Sequence, residues 1–408
     1  MLRKIDTDRL RLGMYVSSLD RPWVETAFLF QGLKLERLED IRYLQEKCAY
    51  VYIDEERSDI QSSGPATRVY RKPKDPLEIL SKQYGKLTTY QDQTSAEEEL
   101  ESARIAYREA LDLVERLWNS IDAGQPMALP EVRQTVNGVV ESVLRNPDAF
   151  MWLRLLRSSD DYTYRHAVDS CGLAAAFGRQ LGIPREMLGD LAMGALLLDI
   201  GKVKMPPQLL SKAAPLTEKE MTLLRSHVDV GVKLIKASGQ AAVTTLEMVQ
   251  THHERFNGEG YPRGLAGTQI PVVGRIAAII DCYDAITSDR PYQKAIAPHE
   301  AVRLMYEWRN VDFQEELVEH FIQCLGIYPT GSLVELNTGE VGIVYAQNRV
   351  RRLRPKLLMV LDKDKKPYGF SPTRDLVTEP ENEEGIKLEI VRSVSPEEFG
   401  INPSDYYL

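Results

Sequence analysis

A long series of helical patterns dominates the middle of the chain, from Ser95 to about Cys324. Apolar residues recur there at intervals of three and four, which places them on one face of a helix. The first segment begins with Ser95 and several acidic residues, which suit a helix N-terminus. Its apolar stripe consists of Ala106, Ala110, Leu113 and Leu117. Further helices are predicted over residues 129–145, 165–181, 185–198, 217–237, 241–253, 272–288 and 298–310. This pattern predicts an all-α domain.

The two ends of the chain show other patterns. Short apolar runs and one helical segment, Leu35 to Lys47, predict a small α+β module, and the stretch rich in Pro, Ser, Gly and basic residues after it predicts a linker. Beyond Gly326, period-two alternation with Asn-Thr-Gly and Asp-Lys-Asp turns predicts β structure. The predicted fold is therefore multi-domain: an α+β N-terminal module (1–61), a linker (62–94), connecting helices (95–157), an all-α helical domain (158–325) and a small β C-terminal extension (326–408).

Charge and cysteine content exclude several classes of protein. The net charge of -9 argues against broad nucleic-acid binding, so no DNA partner is expected, although a local basic pocket could hold a small phosphate ligand. The N-terminus lacks the apolar segment of a signal peptide, and no run is long enough to span a bilayer, so a cytoplasmic location is expected. Four dispersed cysteines show no CxxC pairing and are expected to be reduced thiols: Cys48, Cys171, Cys282 and Cys324.

Five of the six histidines fall between His166 and His299. His252 and His253 are adjacent near the end of a predicted helix, directly before a glycine-containing loop, ERFNGEGYP. Adjacent helical side chains point about 100° apart, so two neighbouring imidazoles can bind on different sides of one cavity. The alternative is a pair of surface histidines at a frayed helix end.

Two carboxylates accompany apolar helices. Asp281 lies within VVGRIAAIIDCYDAIT, and Asp199 ends AMGALLLD. A buried carboxylate needs a cation, several hydrogen bonds or a metal ion. Together with the histidines, the two form the mixed nitrogen and oxygen ligand set that binds Zn, Mn or Fe. The alternative pairs Asp281 with Arg275 or Arg290, and Asp199 with Lys202.

These residues occur in the order of a known family pattern: His166, Asp199-Ile-Gly-Lys202, His227, His252-His253, Gly260-Tyr261-Pro262 and Asp281. The chain thereby resembles the HD-GYP family, a subgroup of the HD-domain metal-dependent phosphohydrolases, from about residue 160 to 310. The segment HHERFNGEGYPRGLAGTQIPVVGRIAAIIDCYDAITSDRPY is similar to that family almost throughout. The opening RLRLGMYV and the tail IYPTGSLVELNTGEVGIV resemble pieces that accompany HD-GYP domains in bacteria.

The resemblance implies a helical domain that hydrolyses cyclic di-GMP to linear pGpG, and sometimes onward to GMP, at divalent ions such as Fe or Mn. It implies that Asp199 bridges two metals and is catalytic together with Lys202, which contacts the scissile phosphate. The implied first-site ligands are His166 and Asp281, and the implied second-site ligands are His227, His252 and His253. Substrate contacts are implied for Arg290, for the loop residues Gly260, Tyr261 and Pro262, and for Lys202.

The chain departs from the family pattern at three positions. Leu198 replaces the histidine of the HD pair, and a leucine has no lone pair with which to ligate a metal. Tyr162 stands where members with a third metal carry a glutamate; Asp160 or Asp161 could substitute, but a trinuclear centre is not expected. Gln293 stands where a basic residue is common. One or two bound ions are expected.

Two functions fit this sequence, and the enzyme is favoured. The first is a cyclic di-GMP phosphodiesterase whose activity Leu198 weakens. The alternative is a receptor or scaffold that binds cyclic di-GMP or a signalling protein, through the GYP loop or the N-terminal module, without turnover. A different HD-type nucleotide hydrolase is the least favoured. The long helix from Ser95 to Ile121 could pack within one chain or between two, so a homodimer is a further option.

Overall fold

The structure, a computed structural model, describes residues 2–20, 33–35, 38–54, 57–58, 75–155, 162–212, 214–289 and 294–406. The chain divides into two compact units. One comprises Met1–Asp75 with Tyr306–Trp308, and the other comprises Pro76–Met305 with Arg309–Leu408. The predicted helical domain and the predicted C-terminal β extension therefore fall within the same unit.

The described residues of the N-terminal unit form a four-stranded antiparallel sheet, an α-helix and a short 3₁₀ helix. Its elements are β1 (Leu2–Asp6), β2 (Tyr15–Leu19), β3 (Leu33–Lys34), α1 (Leu38–Lys47) and β4 (Tyr50–Asp54). The strand order is β1-β4-β2-β3. Alternate residues of β4, Val51 and Ile53, are fully buried and pack with Leu44 of α1. This arrangement agrees with the α+β pattern predicted for the module.

Helices make up the first part of the second unit. They are α2 (Pro76–Tyr84), α3 (Ala96–Asp122), α4 (Leu129–Arg145), α5 (Pro147–Leu153), α6 (Tyr162–Gln180), α7 (Arg185–Leu196), α8 (Pro207–Leu210), α9 (Glu218–Arg225), α10 (His227–Ala237), α11 (Val243–Thr251), α12 (Val272–Ile286), α13 (Pro298–Glu307) and α14 (Glu315–Leu325). Within the described part of the chain, no helix combines the length and the apolar character needed to cross a bilayer.

Helix α3 begins as its sequence predicts. The Ser95 side chain accepts a hydrogen bond from the Glu98 amide, and the Glu98 side chain accepts one from the Ser95 amide, which forms a capping box. The predicted stripe is buried against α4, α5 and α6 within the chain: Ala106, Ala110, Leu113 and Leu117. Because the chain itself covers this stripe, the stripe is not available to a second copy.

Two predictions differ from the observed elements. The helix predicted over residues 217–237 is interrupted at Ser226, where both the amide and the hydroxyl donate to the Leu223 carbonyl oxygen and α9 gives way to α10. Part of the predicted linker, 62–94, forms α2, whose Leu80 is fully buried. Residues 61–74 lie outside the described residues.

The C-terminal part of the second unit is a five-stranded antiparallel sheet in the order β8-β7-β6-β5-β9. The strands are β5 (Leu333–Leu336), β6 (Val341–Ala346), β7 (Lys356–Leu361), β8 (Thr373–Asp375) and β9 (Ile390–Val394), followed by the short helix α15 (Pro396–Phe399). Consecutive residues of β6 point to opposite faces of the sheet and enter two different apolar clusters. Ile343 packs with Trp152 of α5, and Val344 packs with Leu376. Both faces of the central strands are therefore buried.

Candidate metal centre

Asp199 reaches the centre of the helical region through a tight 3₁₀ turn, Ile200–Lys204, that follows α7. A Cβ atom at Gly201 would lie 1.9 Å from the His227 carbonyl oxygen and 2.6 Å from the Gly231 amide nitrogen. Only glycine allows the turn to approach the first turn of α10 this closely. The DIG segment thus brings Asp199 to His227 by backbone contact.

Three histidines lie around the Asp199 carboxylate. Asp199 Oδ1 lies 3.2 Å from His227 Nε2 and 3.9 Å from His252 Nε2. One ligating atom from each of Asp199, His227, His252 and His253 lies within 4.8 Å of all the others. The structure therefore brings together the predicted second-site residues. His252 and His253 follow α11 directly, at the helix end where the sequence predicts them.

The hydrogen bonds of the imidazoles define what this group can bind. His227 Nδ1 donates to the Leu224 carbonyl oxygen at 2.7 Å, and His252 Nδ1 donates to the Val249 carbonyl oxygen at 2.9 Å. In the neutral form of each ring the lone pair is then on Nε2, and the two Nε2 atoms are 3.4 Å apart. Asp199 Oδ1 is buried and has no hydrogen-bond partner among the described residues. Two nitrogen lone pairs and a carboxylate oxygen that converge in this way fit a divalent metal ion.

The protonation states suit metal binding. Burial lowers the pKa of His252 to about 4, and burial together with the neighbouring His252 holds the pKa of His253 well below its usual range. Both imidazoles are therefore neutral at pH 7, as a ligand must be. Burial opposes the ionisation of Asp199, but Lys202, His227 and His166 together hold its pKa well below the usual range. Asp199 is therefore a carboxylate.

A second group of side chains faces the other oxygen of Asp199. His166 Nε2 lies 3.6 Å from Asp199 Oδ2 and 3.3 Å from Asp281 Oδ1. The second oxygen of Asp281 lies 3.5 Å from His253 Nδ1, so Asp281 lies between the two groups. Although burial opposes it, the hydrogen bonds to Asp281 and Asp284 raise the pKa of His166 to about 10. The raised pKa reflects the negative charge of Asp199, Asp281 and Asp284 around His166. This negative charge favours a cation, so the first group also fits a metal ion, which would replace the proton on His166 Nε2.

Leu198 precedes these ligands and is 1% exposed. The first group therefore offers one imidazole, His166, with Asp199 and Asp281, while the second offers three imidazoles with Asp199. An apolar side chain adds no ligand, so the second group is the better donor set of the two.

The sequence also allowed the two carboxylates to be neutralised by basic side chains, Asp199 by Lys202 and Asp281 by Arg275 or Arg290. Lys202 Nζ lies 2.5 Å from Asp199 Oδ2, so this ion pair forms. Arg275 instead donates to the Ile270 carbonyl oxygen and to the Gln314 side chain, so its pairing with Asp281 is wrong. Arg290, the other predicted partner, lies outside the described residues, as do Gln293, Asp160 and Asp161.

The Gly260-Tyr261-Pro262 segment lies against the histidine pair. A Cβ at Gly260 would lie 2.3 Å from the Arg255 amide nitrogen, which explains the glycine. The Tyr261 ring lies 4.5 Å from the His253 ring at an angle of 32°. The Tyr261 amide donates to the His253 carbonyl oxygen at 3.1 Å. The loop therefore borders the second group.

Sequence reasoning missed residues that support this loop. Glu254 is 1% exposed, and its two carboxylate oxygens accept from the Arg263 amide at 2.8 Å and the Leu265 amide at 2.9 Å. Arg225 places its guanidinium carbon 4.9 Å from the Tyr261 ring centre. The glutamate directly after the histidine pair was a visible signal, whereas Arg225 is brought to the loop only by the junction of α9 and α10.

Two known protein families match parts of the chain. Residues 151–317 match a family described as HD domain, and residues 2–132 match one described as Domain of unknown function (DUF3391). The second match extends from the N-terminal unit through α3, well beyond the module predicted over 1–61.

Several curated proteins are similar to different shares of the chain. The chain is 34% identical over 364 residues to Cyclic di-GMP phosphodiesterase PA4108 of Pseudomonas aeruginosa, and the matched region covers 88% of this chain and 84% of that protein. It is 31% identical over 179 residues to a cyclic di-GMP phosphodiesterase of Thermotoga maritima, with 43% of this chain and 49% of that protein covered. It is 33% identical over 158 residues to 3'3'-cGAMP-specific phosphodiesterase 1 of Vibrio cholerae, with 38% and 36% covered. The chain belongs to the HD-GYP family.

Proposed function

We propose that the chain is a metal-dependent phosphodiesterase that hydrolyses cyclic di-GMP to linear pGpG in bacterial second-messenger signalling. The observation that carries this proposal is the placement of Asp199. Its Oδ1 faces His227 and His252, while its Oδ2 faces His166. A carboxylate between two donor sets suits a two-metal phosphodiesterase. Relatives named as cyclic di-GMP phosphodiesterases support the choice of substrate.

When bound, divalent ions at such a centre neutralise phosphate charge and supply a water that ionises near neutral pH. The side chains of this chain do the rest. Lys202 is 24% exposed, so its ammonium can turn from Asp199 to a non-bridging oxygen of the scissile phosphate. Asp199 and Asp281 remain ionised, so both carboxylates are available to hold the ions.

The rim of the centre would bind the rest of the nucleotide. Arg225 is exposed, and the described residues offer its guanidinium no carboxylate partner. It is therefore a candidate for the second phosphate, or for a guanine edge, beside Tyr261. The clamp role of Arg290 stays a prediction, as does a signalling partner at the GYP loop or the N-terminal module.

Leu198 favours a second candidate function, a receptor that binds the cyclic dinucleotide without turnover. With one imidazole in the first group, a single ion at the second group would hold the nucleotide but would lack its counterpart across Asp199. Lys202, Arg225 and the GYP loop would then serve binding alone.

Turnover by the metal-loaded chain distinguishes these functions. The purified chain is supplied with Mn²⁺ or Fe²⁺ and incubated with cyclic di-GMP and, separately, with 3'3'-cGAMP, and the products are separated by chromatography. We expect pGpG from cyclic di-GMP, lost in Asp199→Ala and retained in Asp229→Ala, which removes an exposed carboxylate from α10. Nucleotide binding with no product would support the receptor. Faster turnover of 3'3'-cGAMP would replace the proposed substrate.

A further inference from the structure

A line of buried polar side chains leads from α3 to His166. The Tyr107 hydroxyl donates to Asp169 Oδ1 at 2.8 Å, and Arg154 Nε lies 3.8 Å from Asp169 Oδ2. Arg154 Nη2 donates to Asp284 Oδ1 at 2.5 Å, and His166 Nδ1 donates to Asp284 Oδ2 at 2.7 Å. We call Tyr107, Asp169, Arg154 and Asp284 the relay.

The charged side chains of the relay are deeply buried, so their positions are tightly constrained. The side chains of Arg154, Asp169 and Asp284 are 7%, 1% and 0% exposed. A buried charge without its partner is costly, so each member must keep its neighbours. Arg154 lies between two carboxylates, and removal of either would take one of these two partners from a buried guanidinium. A shift of one relay side chain therefore changes the contacts of the next, from Tyr107 to Asp284.

The relay ends on the nitrogen of His166 that does not face the centre. Because Nδ1 is held by Asp284, the ring is oriented with Nε2 toward Asp199 and Asp281. Carboxylate partners of this kind orient a ligating imidazole and increase its basicity. The orientation matters more in this chain than in a complete site, because Leu198 leaves His166 as the sole imidazole of the first group.

Helix α3 also contacts the other side of the centre. Lys204, in the 3₁₀ turn that begins at Asp199, donates from Nζ to the Ile121 carbonyl oxygen at 2.6 Å. The Tyr107 ring packs 5.3 Å from the Phe150 ring, which holds the hydroxyl in place. One helix thus reaches the two elements that carry His166 and Asp199.

We propose that the relay sets the metal affinity of the first group, and that Tyr107 makes this affinity depend on the position of α3. Tyr107, Asp169, Arg154 and Asp284 are positioning residues, since each acts through His166. The inference rests on the metal-binding part of the proposed function and adds to it a route by which α3 regulates the centre.

Metal titration of the metal-free full-length chain tests the proposal without any turnover. Mn²⁺ is added in competition with a fluorescent chelator, and the two binding phases are assigned with Asp281→Asn and His252→Gln. We expect Asp284→Asn to weaken the first-group phase about 10- to 100-fold. Tyr107→Phe, which removes one hydrogen bond, should weaken it about 3- to 10-fold. The second-group phase should not change in either variant.

The matched control is Tyr345→Phe. It also removes a hydroxyl that donates to a carboxylate associated with α3, that of Glu97 at 2.7 Å, but it lies outside the relay. Both of its phases should equal those of the wild type. Asp169→Asn serves as a second relay variant, and melting in a chelator verifies that each variant folds.

An unchanged first-group phase in Tyr107→Phe and Asp169→Asn would overturn the proposal. So would equal weakening of both phases, because that is the signature of a general loss of stability. A wild-type chain that binds no metal would overturn this inference together with the proposed function. Metal binding with the expected effects of the relay variants but no turnover of cyclic di-GMP would support the relay and contradict only the proposed phosphodiesterase activity.

Discussion

The Nε2 atoms of His227 and His252 face each other at 3.4 Å, and each ring has its Nδ1 proton committed to a backbone carbonyl oxygen. In the neutral form of both rings, two lone pairs converge next to the ionised Asp199, and these negative centres repel one another. This repulsion is the reason to expect that a cation stabilises the folded centre rather than merely adhering to its surface.

Metal binding should therefore stabilise the second unit. Mn²⁺ at about 100 times its dissociation constant should raise the free energy of unfolding by about 2.7 kcal/mol, because only the folded chain assembles the ligands. Thermal melting with Mn²⁺ and with a chelator measures the difference. Asp199→Ala should abolish the shift, and Asp229→Ala should retain it; a shift that survives in Asp199→Ala would contradict the assignment of the site.

Leu198→His should strengthen the first group. The added imidazole restores the ligand that the family pattern places there, and we expect about 10-fold tighter binding or more, since even the loss of a supporting contact costs about 10- to 100-fold. Activity at limiting Mn²⁺ should rise with it. Leu198→Ala is the control, because it removes the apolar bulk but adds no ligand. Equal gains in the two variants would show that bulk, not ligation, limits the site.

Gly201→Ala should disrupt the centre from within the backbone. The new methyl group would lie 1.9 Å from the His227 carbonyl oxygen, so the 3₁₀ turn and α10 must separate. We expect a loss of about 3 kcal/mol or more and of metal binding. Gly138→Ala, in the middle of α4 with nothing within 4 Å of the added Cβ, should instead stabilise by about 0.5–1 kcal/mol. Denaturant unfolding compares the two, and a tolerant Gly201 would refute the close contact.

Glu254→Gln should loosen the GYP loop. The glutamate accepts two backbone amides, and an amide group in its place turns a donor toward one of them, at a cost of about 1–3 kcal/mol. Hydrogen exchange at residues 260–265 should accelerate, and the KM for nucleotide should rise more than kcat falls. The control is Glu259→Gln on the exposed part of the same loop. Similar exchange in both variants would exclude the anchoring role.

Arg225→Ala should weaken nucleotide binding about 10-fold, because a charge-assisted hydrogen bond to phosphate is lost at the rim. Lys233→Ala removes one positive charge from an exposed position of α10 and should have little effect. Titration with a labelled cyclic dinucleotide measures both. If the two variants bind equally, Arg225 contributes only to the overall charge.

Much of the centre could be predicted from the sequence because its residues occur in the order of a known family pattern. Local periodicity placed Asp199 at the end of one apolar helix and His252 with His253 at the end of another, and the resemblance to the HD-GYP family implied that they ligate metal. The alternatives were not decidable in the same way. Whether Arg275 paired with Asp281 depended on a contact with Gln314, which is 39 residues away.

The helical patterns, the α3 cap and stripe and the alternating strands could be predicted from the amino-acid sequence, because they depend on side chains a few residues apart. The order of the ligands was also visible there. Three features could be recognised only in the folded chain. Asp199 faces two donor groups with its two oxygens, α9 and α10 separate at Ser226, and Tyr107 connects to His166 through Asp169, Arg154 and Asp284. Those relationships depend on contacts between polar and charged side chains that are far apart in the sequence, and local sequence patterns do not specify which of these side chains pair.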